Sequence, residues 1–253
     1  MKKTLFTAVA LAYMLTLGVG TVCAQQSRID DASQNAPAGL WSVGGGFFFD
    51  DGRIGSARGK SNSPEQLGEW VSTLDHAGFG VWGFVDAMFA ELSVGFIAGI
   101  PSWEQGTPVP DTGGRIYRGS FQAMDLSLLG RFPFVLGASG ISIFPLLGIG
   151  YNIVFSASQD DGTFWEWETE EQERRNSFVP SHLSTFRIMG GIGGDFTFSQ
   201  RMFLRTSVLG SYRFAARHFR DLADNWRDRG YIDDVETSGG FGVIVRLGIG
   251  FRL

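Results

Sequence analysis

The sequence predicts an all-β fold: an eight-stranded antiparallel transmembrane β-barrel with short periplasmic turns and four long extracellular loops. The last thirteen residues, 241–253, alternate without a break between an apolar face and a face of mostly glycine and arginine. Period-two alternation of this kind is typical of a strand with one apolar side. Seven further segments are predicted strands, and their connections alternate long and short, as they do in outer-membrane barrels.

The eight predicted strands span 40–50, 77–85, 89–100, 121–132, 140–156, 185–198, 202–214 and 241–253. The long loops are 51–75, 101–120, 157–183 and 215–239. An edge strand of a soluble sandwich is the alternative for the last segment, but a sandwich has no reason to sort its loops by length. The faces of strand two stay unassigned, because Trp82 and Phe84 point away from Phe79 and Val81. Pro145 predicts a bulge or a strand start nearby.

The chain begins with the features of an exported protein. Lys2 and Lys3 precede an apolar run that ends at Val22-Cys23-Ala24, which predicts a cleaved signal peptide over 1–24. Acylation of Cys23 is the weaker alternative, because Val22 is large for the residue before a lipidated cysteine. Residues 25–39 form a predicted mobile leader and 40–253 the barrel, located in the outer membrane of a diderm bacterium.

Strand parity places a set of charged side chains inside the predicted barrel. They are Glu91, Asp125, Arg131, Arg187, Asp195, Arg205, Arg213 and Arg246. A structural network of ion pairs is one interpretation, because unpaired charges in a narrow lumen are costly. An anion-favouring or gated pore is the other, because five arginines outnumber three acids. Phe144, Leu146, Phe203 and Leu209 also point inward by parity, which favours a plugged interior.

The third and fourth loops carry candidate contact residues for an external partner. These are Trp165, Trp167, Glu168, Glu170, Glu171, Trp226 and Tyr231. A solvated acidic loop is the alternative for the third. A surface contact with a basic host ligand, or a divalent cation shared with lipid, is the sharper interpretation. The acidic spacing matches no calcium loop, so neither a metal nor a cofactor is predicted.

The number and the positions of the histidines argue against an enzyme. His76, His182 and His218 fall at strand ends or in predicted outer loops, and His76 with Asp75 and Ser72 is the one arrangement that could serve catalysis. Such proximity within one loop is common by chance, so we predict no enzymatic activity. A formal net charge of −5 and the lack of a phosphate-binding glycine loop argue against nucleic acid as a partner.

Four strands carry a resemblance to a known group of proteins. The segments AELSVGF (90–96), FPLLGIGYNIVF (144–155), GGIGGDFTF (190–198) and VRLGIGFRL (245–253) resemble strands of the small eight-stranded outer-membrane barrels of the OmpW, OmpX and OmpA-barrel superfamily. The run of strands is also similar to spirochaetal members. The OmpW branch would imply passage of small hydrophobic molecules through the interior.

The resemblance also implies partners. Barrel-assembly machinery is expected to read the outward face of the last strand. That face is formed by Phe241, Val243, Val245, Leu247, Ile249, Phe251 and Leu253. Many relatives end in phenylalanine, whereas this chain ends in Leu253, which puts the strength of that signal in doubt. Besides outer-membrane lipid, the expected partner is a small hydrophobic solute or, if the loops are the working part, a host surface ligand.

Overall fold

A computed structural model of the chain describes residues 41–61, 69–87, 89–106, 115–136, 140–159, 180–228 and 232–253. The predicted signal peptide and leader lie outside these residues. The strands are β1 (Trp41–Ser61), β2 (Glu69–Ala87), β3 (Ala90–Gly106), β4 (Arg115–Arg131), β5 (Phe134–Val135), β6 (Ile141–Gln159), β7 (Thr185–Thr197), β8 (Met202–Arg213), β9 (Ile232–Ser238) and β10 (Gly240–Arg252).

Eight of these strands form a closed ring, which confirms the predicted barrel. The hydrogen-bonded order is β1, β2, β3, β4, β6, β7, β8 and β10, and β10 pairs back onto β1 from Ser42–Arg252 to Gly52–Gly242. Every pairing is antiparallel. Closure leaves no unpaired edge within the ring, which is the condition for β-structure in hydrocarbon.

The wall of the barrel is taller on one side than on the other. β1, β2, β3, β4 and β6 have 17 to 21 residues each, whereas β7, β8 and β10 have 12 or 13. All these strands meet at the end with short turns, so the long strands project beyond the short ones at the loop end. The prediction of loops over 51–75 and 101–120 was therefore wrong in large part, because strand pairing continues through most of both segments.

The fourth connection, predicted as a loop over 215–239, contains regular structure. Helix α1 (Arg217–Asp228) follows β8, and β9 then pairs with the projecting part of β1. A single 3-10 turn, Pro180–Leu183, precedes β7. Within the described residues, no helix has the length and apolar run needed to span a bilayer.

The outward face of the ring is apolar. Phe47, Phe79, Leu147 and Phe241 are between 68% and 78% exposed. A belt of such side chains around a monomer is far larger than the apolar patches that water tolerates, so its surroundings are lipid. The face of strand two is now assigned: Phe79 and Val81 point outward, while Trp82 and Phe84 are buried inside.

Pro145 lies at an interruption of the sheet, which agrees with the expectation of an irregularity near it. The β4–β6 ladder ends at Arg131–Leu146, and the short β5 resumes pairing with β6 at Phe134–Ile143. Because proline has no N–H to donate, it is tolerated where a neighbouring ladder breaks.

Candidate functional site: the barrel interior and its outer mouth

All eight interior charges predicted from parity lie inside the barrel. Seven of them are buried, and the side chain of Arg131 is 12% exposed. The structure adds two acids that parity missed, Asp50 and Asp86, both fully enclosed. They were missed because the predicted strands one and two ended at or just before these positions, although both strands continue through them.

The interior charges form a chain of alternating sign along the lumen, here called the charge chain. Arg213 donates to Asp50 at 2.6 Å, and Arg187 joins Asp50 at 3.1 Å to Asp125 at 2.5 Å. Arg246 then lies 3.7 Å from Asp125 and 3.3 Å from Glu91. Each carboxylate is thus shared between two guanidinium groups, the arrangement that makes a buried charge tolerable.

Arg205 is the centre of the lower part of the charge chain. Its guanidinium donates to both oxygens of Asp195, at 2.7 and 2.8 Å, and to Glu91 at 2.9 Å, and it lies 2.5 Å from Asp86. Arg131 lies beside it, 2.7 Å from Asp86 and 3.6 Å from Asp195. The fork geometry of arginine suits this multiple pairing, which lysine could not reproduce.

The charge chain favours a structural network of ion pairs over an anion-favouring pore. The set predicted from the sequence had five arginines and three acids. Once Asp50 and Asp86 are counted, five carboxylates face five guanidinium groups among the described residues. An electrically balanced network has no fixed surplus charge with which to select anions.

Aromatic and aliphatic side chains fill the lumen around the lower charges. Phe84 and Phe203 stack against the guanidinium of Arg205, at 4.3 and 4.9 Å from its central carbon, and Trp82 lies beside Arg246. Phe144, Leu146, Phe203 and Leu209, which parity placed inside, are all buried. The axial path through the described barrel is therefore occupied by packed side chains.

An apolar layer covers the charge chain at the loop end. We call it the outer apolar cluster, and it consists of Ile54, Ala57, Leu74, Phe121, Val154, Leu183, Ala216, Phe219 and Trp226. His76 marks its lower boundary: its ring lies 5.5 Å from that of Phe121, and its Nε2 is 3.6 Å from Asp50. The interior thus changes from ionic to apolar toward the outer mouth.

Of the seven residues predicted to contact an external partner, the structure describes only Trp226. Trp165, Trp167, Glu168, Glu170, Glu171 and Tyr231 lie outside the described residues. Trp226 was wrongly placed on the surface, because it is 6% exposed and packs inward from α1. The sequence held the signal for this: Phe219, Ala223 and Trp226 are spaced four and three apart, as on one face of a helix.

His76, Asp75 and Ser72 do not form a catalytic arrangement in the structure. His76 points inward with its Nδ1 at 2.9 Å from the carbonyl of Gly52, whereas Asp75 points outward and pairs with Arg53 at 2.9 Å. His182 pairs with Asp221 of α1 at 3.1 Å. Neighbouring residues of a strand face opposite sides, so Asp75 cannot orient the ring of His76.

The residues proposed as an assembly signal lie along the outward side of β10. Phe241, Val243, Leu247, Ile249, Phe251 and Leu253 are exposed, and Val245 is partly exposed. The inward positions of the same strand hold Ile244, Arg246, Arg252 and four glycines. The recognition of this face by assembly machinery stays a prediction.

A closed ring of strands, an apolar exterior and a charge-filled interior are the features of an integral outer-membrane β-barrel. No protein-family model matches the chain, and neither does any curated protein sequence.

Several solved structures resemble the chain. OprG from Pseudomonas aeruginosa shares 12% identity over 85% of this chain and 96% of its own, with a TM-score of 0.48. The Escherichia coli outer membrane protein W shares 13% identity over 83% of this chain and 98% of its own, with a TM-score of 0.35. Ail of Yersinia pestis, solved in complex with a heparin analogue, shares 14% identity over 86% of this chain and 100% of its own, with a TM-score of 0.31. Because these TM-scores lie below 0.5, no function is transferred from these proteins.

The charge chain predicts a large cost for removing its central arginine. Arg205→Leu leaves Asp86, Glu91 and Asp195 without their shared partner. We expect the free energy of unfolding in lipid vesicles to fall by about 3–5 kcal/mol, as for other broken buried pairs. Urea titration followed by tryptophan fluorescence measures it. Arg201→Leu, at an exposed turn position, is the control and should change stability by less than about 0.5 kcal/mol. Equal effects of the two changes would contradict the structural role of the network.

The filled lumen predicts a barrel that does not conduct ions along its axis. Purified, refolded protein in a planar lipid bilayer should give no stable open level, while a general porin under the same conditions gives one. A reproducible ohmic step from the wild-type protein would show that the lumen opens.

His218 predicts a pH dependence of α1 docking. Burial lowers the pKa of His218 to about 4, with Asp221 opposing the shift and His182 adding to it. Above pH 6.5 the ring is neutral whether α1 is docked or not. As the pH falls from 6.5 toward 4, only the undocked ring takes a proton, so docking should weaken by roughly 2–3 kcal/mol. Hydrogen exchange of 217–228, corrected for intrinsic rates, measures this, and His218→Phe should remove the weakening of docking at low pH.

Proposed function

We propose that this barrel admits small apolar solutes from its outer face and releases them sideways into the membrane between β3 and β4. The route avoids the barrel axis. The single observation that carries the proposal is the combination of an apolar outer mouth with an interrupted wall at Pro101, above an interior blocked by ion pairs.

The charge chain supports a sideways route because it makes the axial one unfavourable. Asp50, Arg187 and Arg213 are each at most 1% exposed and lie directly beneath the outer apolar cluster. An apolar molecule that moved down the axis would have to separate these pairs and leave buried charges unpaired. The outer apolar cluster offers a favourable environment only as far down as Phe121 and His76.

The wall beside Phe121 has a break in its hydrogen-bonded pairing. The β3–β4 ladder pairs Gly99 with Phe121 and resumes only at Ser102 with Arg118. Two positions of β3, Ile100 and Pro101, have no partner in β4, and proline has no N–H to offer one. The register is the same on both sides of the break, so the strands can separate here without any change of pairing elsewhere.

An apolar groove lies on the outer surface next to this break. It has a volume of about 430 Å³ and is lined by residues that include Phe79, Phe96, Ala98, Gln122 and Phe155. Ala98 lies three residues before Pro101, and Gln122 follows Phe121. Because the groove is apolar and open toward lipid, it suits an apolar solute that leaves the wall at this place.

A second function, contact with a host or matrix ligand through the outer loops, is favoured by the projecting strands. The parts of β1 to β4 and β6 that lie beyond the membrane belt form a raised sheet. Outward positions become polar at the outer boundary of the belt, at the level of Arg53 and Asp75. A barrel used only for such contact needs no solute route, so the uptake experiment below separates the two functions.

The break at Pro101 makes the solute route testable. Pro101→Val restores a backbone N–H and should slow the entry of the apolar fluorophore N-phenyl-1-naphthylamine into cells of a diderm host that expresses the protein. We expect a decrease of about fivefold, because one net backbone hydrogen bond of roughly 1 kcal/mol closes the break.

The control for this experiment is Pro145→Val, a matched change in β6 at the opposite end of the barrel, near the short turns. It should leave the entry rate unchanged, with the folded fraction of both variants checked by heat-modifiable gel migration. Entry that does not depend on the protein at all, or that is equally fast in both variants and the wild type, would contradict the sideways route.

A further inference from the structure

Helix α1 lies across the low side of the outer mouth. β7, β8 and β10 end at the level of Arg213 and Gly240, and α1 follows directly after β8. It packs against β1, β9 and the 3-10 turn at Pro180–Leu183. The helix therefore covers the part of the mouth that the short strands leave open.

The two faces of α1 differ sharply in chemistry. Phe219, Ala223 and Trp226 are buried and point into the outer apolar cluster, while Arg217, Arg220, Asp224 and Arg227 are on the exposed side. A helix of 12 residues is marginal in water by itself. Its position thus depends on the apolar face being seated.

Phe219 has a dedicated seat in the barrel wall. A Cβ atom on Gly55 would lie 2.6 Å from Cδ2 of the Phe219 ring, so only glycine leaves room for the ring at this position. The seat occurs where the β1–β2 register shifts between Arg53 and Gly55, which turns both Ile54 and Gly55 into the interior. The bulge and the glycine together form a notch shaped to an aromatic ring.

The ion pairs that Asp221 forms on α1 are weak in comparison. Asp221 pairs with His182 at 3.1 Å and with Arg217 at 3.4 Å, and its side chain is 46% exposed. Exposed pairs of this kind contribute little. These ion pairs therefore do little to hold the helix in its seat, and the ring of eight strands keeps all its pairings when the helix leaves.

We propose that α1 is a lid whose Phe219 and Trp226 occupy the apolar space that an incoming solute takes. The solute class is a small, ring-sized apolar molecule, and it can enter only when Phe219 leaves the Gly55 notch. This inference rests on the proposed entry of apolar solutes and adds the element that controls it.

A disulfide between the notch and the helix tests the lid. In the double variant Gly55→Cys with Phe219→Cys, the oxidised form has a disulfide that joins β1 to α1. In the reduced form, α1 lacks both this disulfide and the Phe219 ring, so it is free to leave the notch. Cys23 is the only cysteine in the chain and lies in the predicted signal peptide. We expect entry of N-phenyl-1-naphthylamine to be at least about fivefold slower in the oxidised than in the reduced form.

The matched control is Ser56→Cys with Ser238→Cys, next to the notch. The two hydroxyl oxygens lie 2.7 Å apart across the β1–β9 pair, so this disulfide joins neighbouring strands without attaching α1. Oxidation should not change its entry rate. Equal rates for oxidised and reduced Gly55→Cys/Phe219→Cys, with entry through the wild type intact, would overturn the lid and leave the proposed function standing.

Hydrogen exchange decides the lid if the wild type admits no probe and the proposed function fails. Phe219→Ala should speed exchange of 217–228 at least about tenfold and leave 185–213 unchanged, whereas Arg220→Ala on the exposed face should do neither. Equal exchange of 217–228 in Phe219→Ala and the wild type would overturn the lid, as would faster exchange throughout the barrel.

Discussion

The constraint on which the rest of the structure depends is the neutralisation of charge inside a narrow cylinder. Among the described residues, ten acidic and basic side chains form the charge chain in the interior, from Arg213 at the outer end to Arg131 near the turns. They come from every strand of the ring except β6. The network therefore ties seven strands to one another through the lumen, in addition to the hydrogen bonds around the wall.

Glycine makes this packing possible at specific places. Cβ atoms on Gly52 and Gly242, which face each other across β1 and β10, would each lie 2.8 Å from Nη1 of Arg213. The long arginine side chain crosses the lumen because these two positions carry no side chain. The abundance of glycine in the sequence, which fitted a crowded interior in general, has here a defined steric cause.

The sequence predicted the ring, the strand faces and most of the interior charges, because a period of two is read directly from the order of residues. It missed the length of the strands at the outer end. There, Gly, Ser, Arg and Asp in 51–61 have the composition of a loop, yet they pair with β2 because the hairpin continues beyond the membrane. Because the predicted strands ended too early, Asp50 and Asp86 were not recognised as interior residues. Without these two acids, the predicted set did not indicate that the charges of the lumen balance.

The outer mouth was less accessible to sequence reasoning for a different reason. The seat of Phe219 depends on a register shift in β1, 165 residues or so earlier in the chain, and no local pattern predicts which ring fills a notch. The helical spacing of Phe219, Ala223 and Trp226 was visible, but the expectation of a loop between two barrel strands concealed it. The break at Pro101 could be found only from the observed β3–β4 pairing, because it is defined by the missing partners of Ile100 and Pro101 in β4.

The distribution of interior charge along the chain has a consequence for assembly. Of the members of the charge chain, the first four strands carry Asp50, Asp86, Glu91, Asp125 and Arg131, whereas β7, β8 and β10 carry Arg187, Arg205, Arg213, Arg246 and Asp195. Each half of the unfinished cylinder is therefore strongly polarised, one anionic and the other cationic. Attraction between the two halves favours bringing the first and last strands together, and only the completed cylinder can shed the water that surrounds its charges.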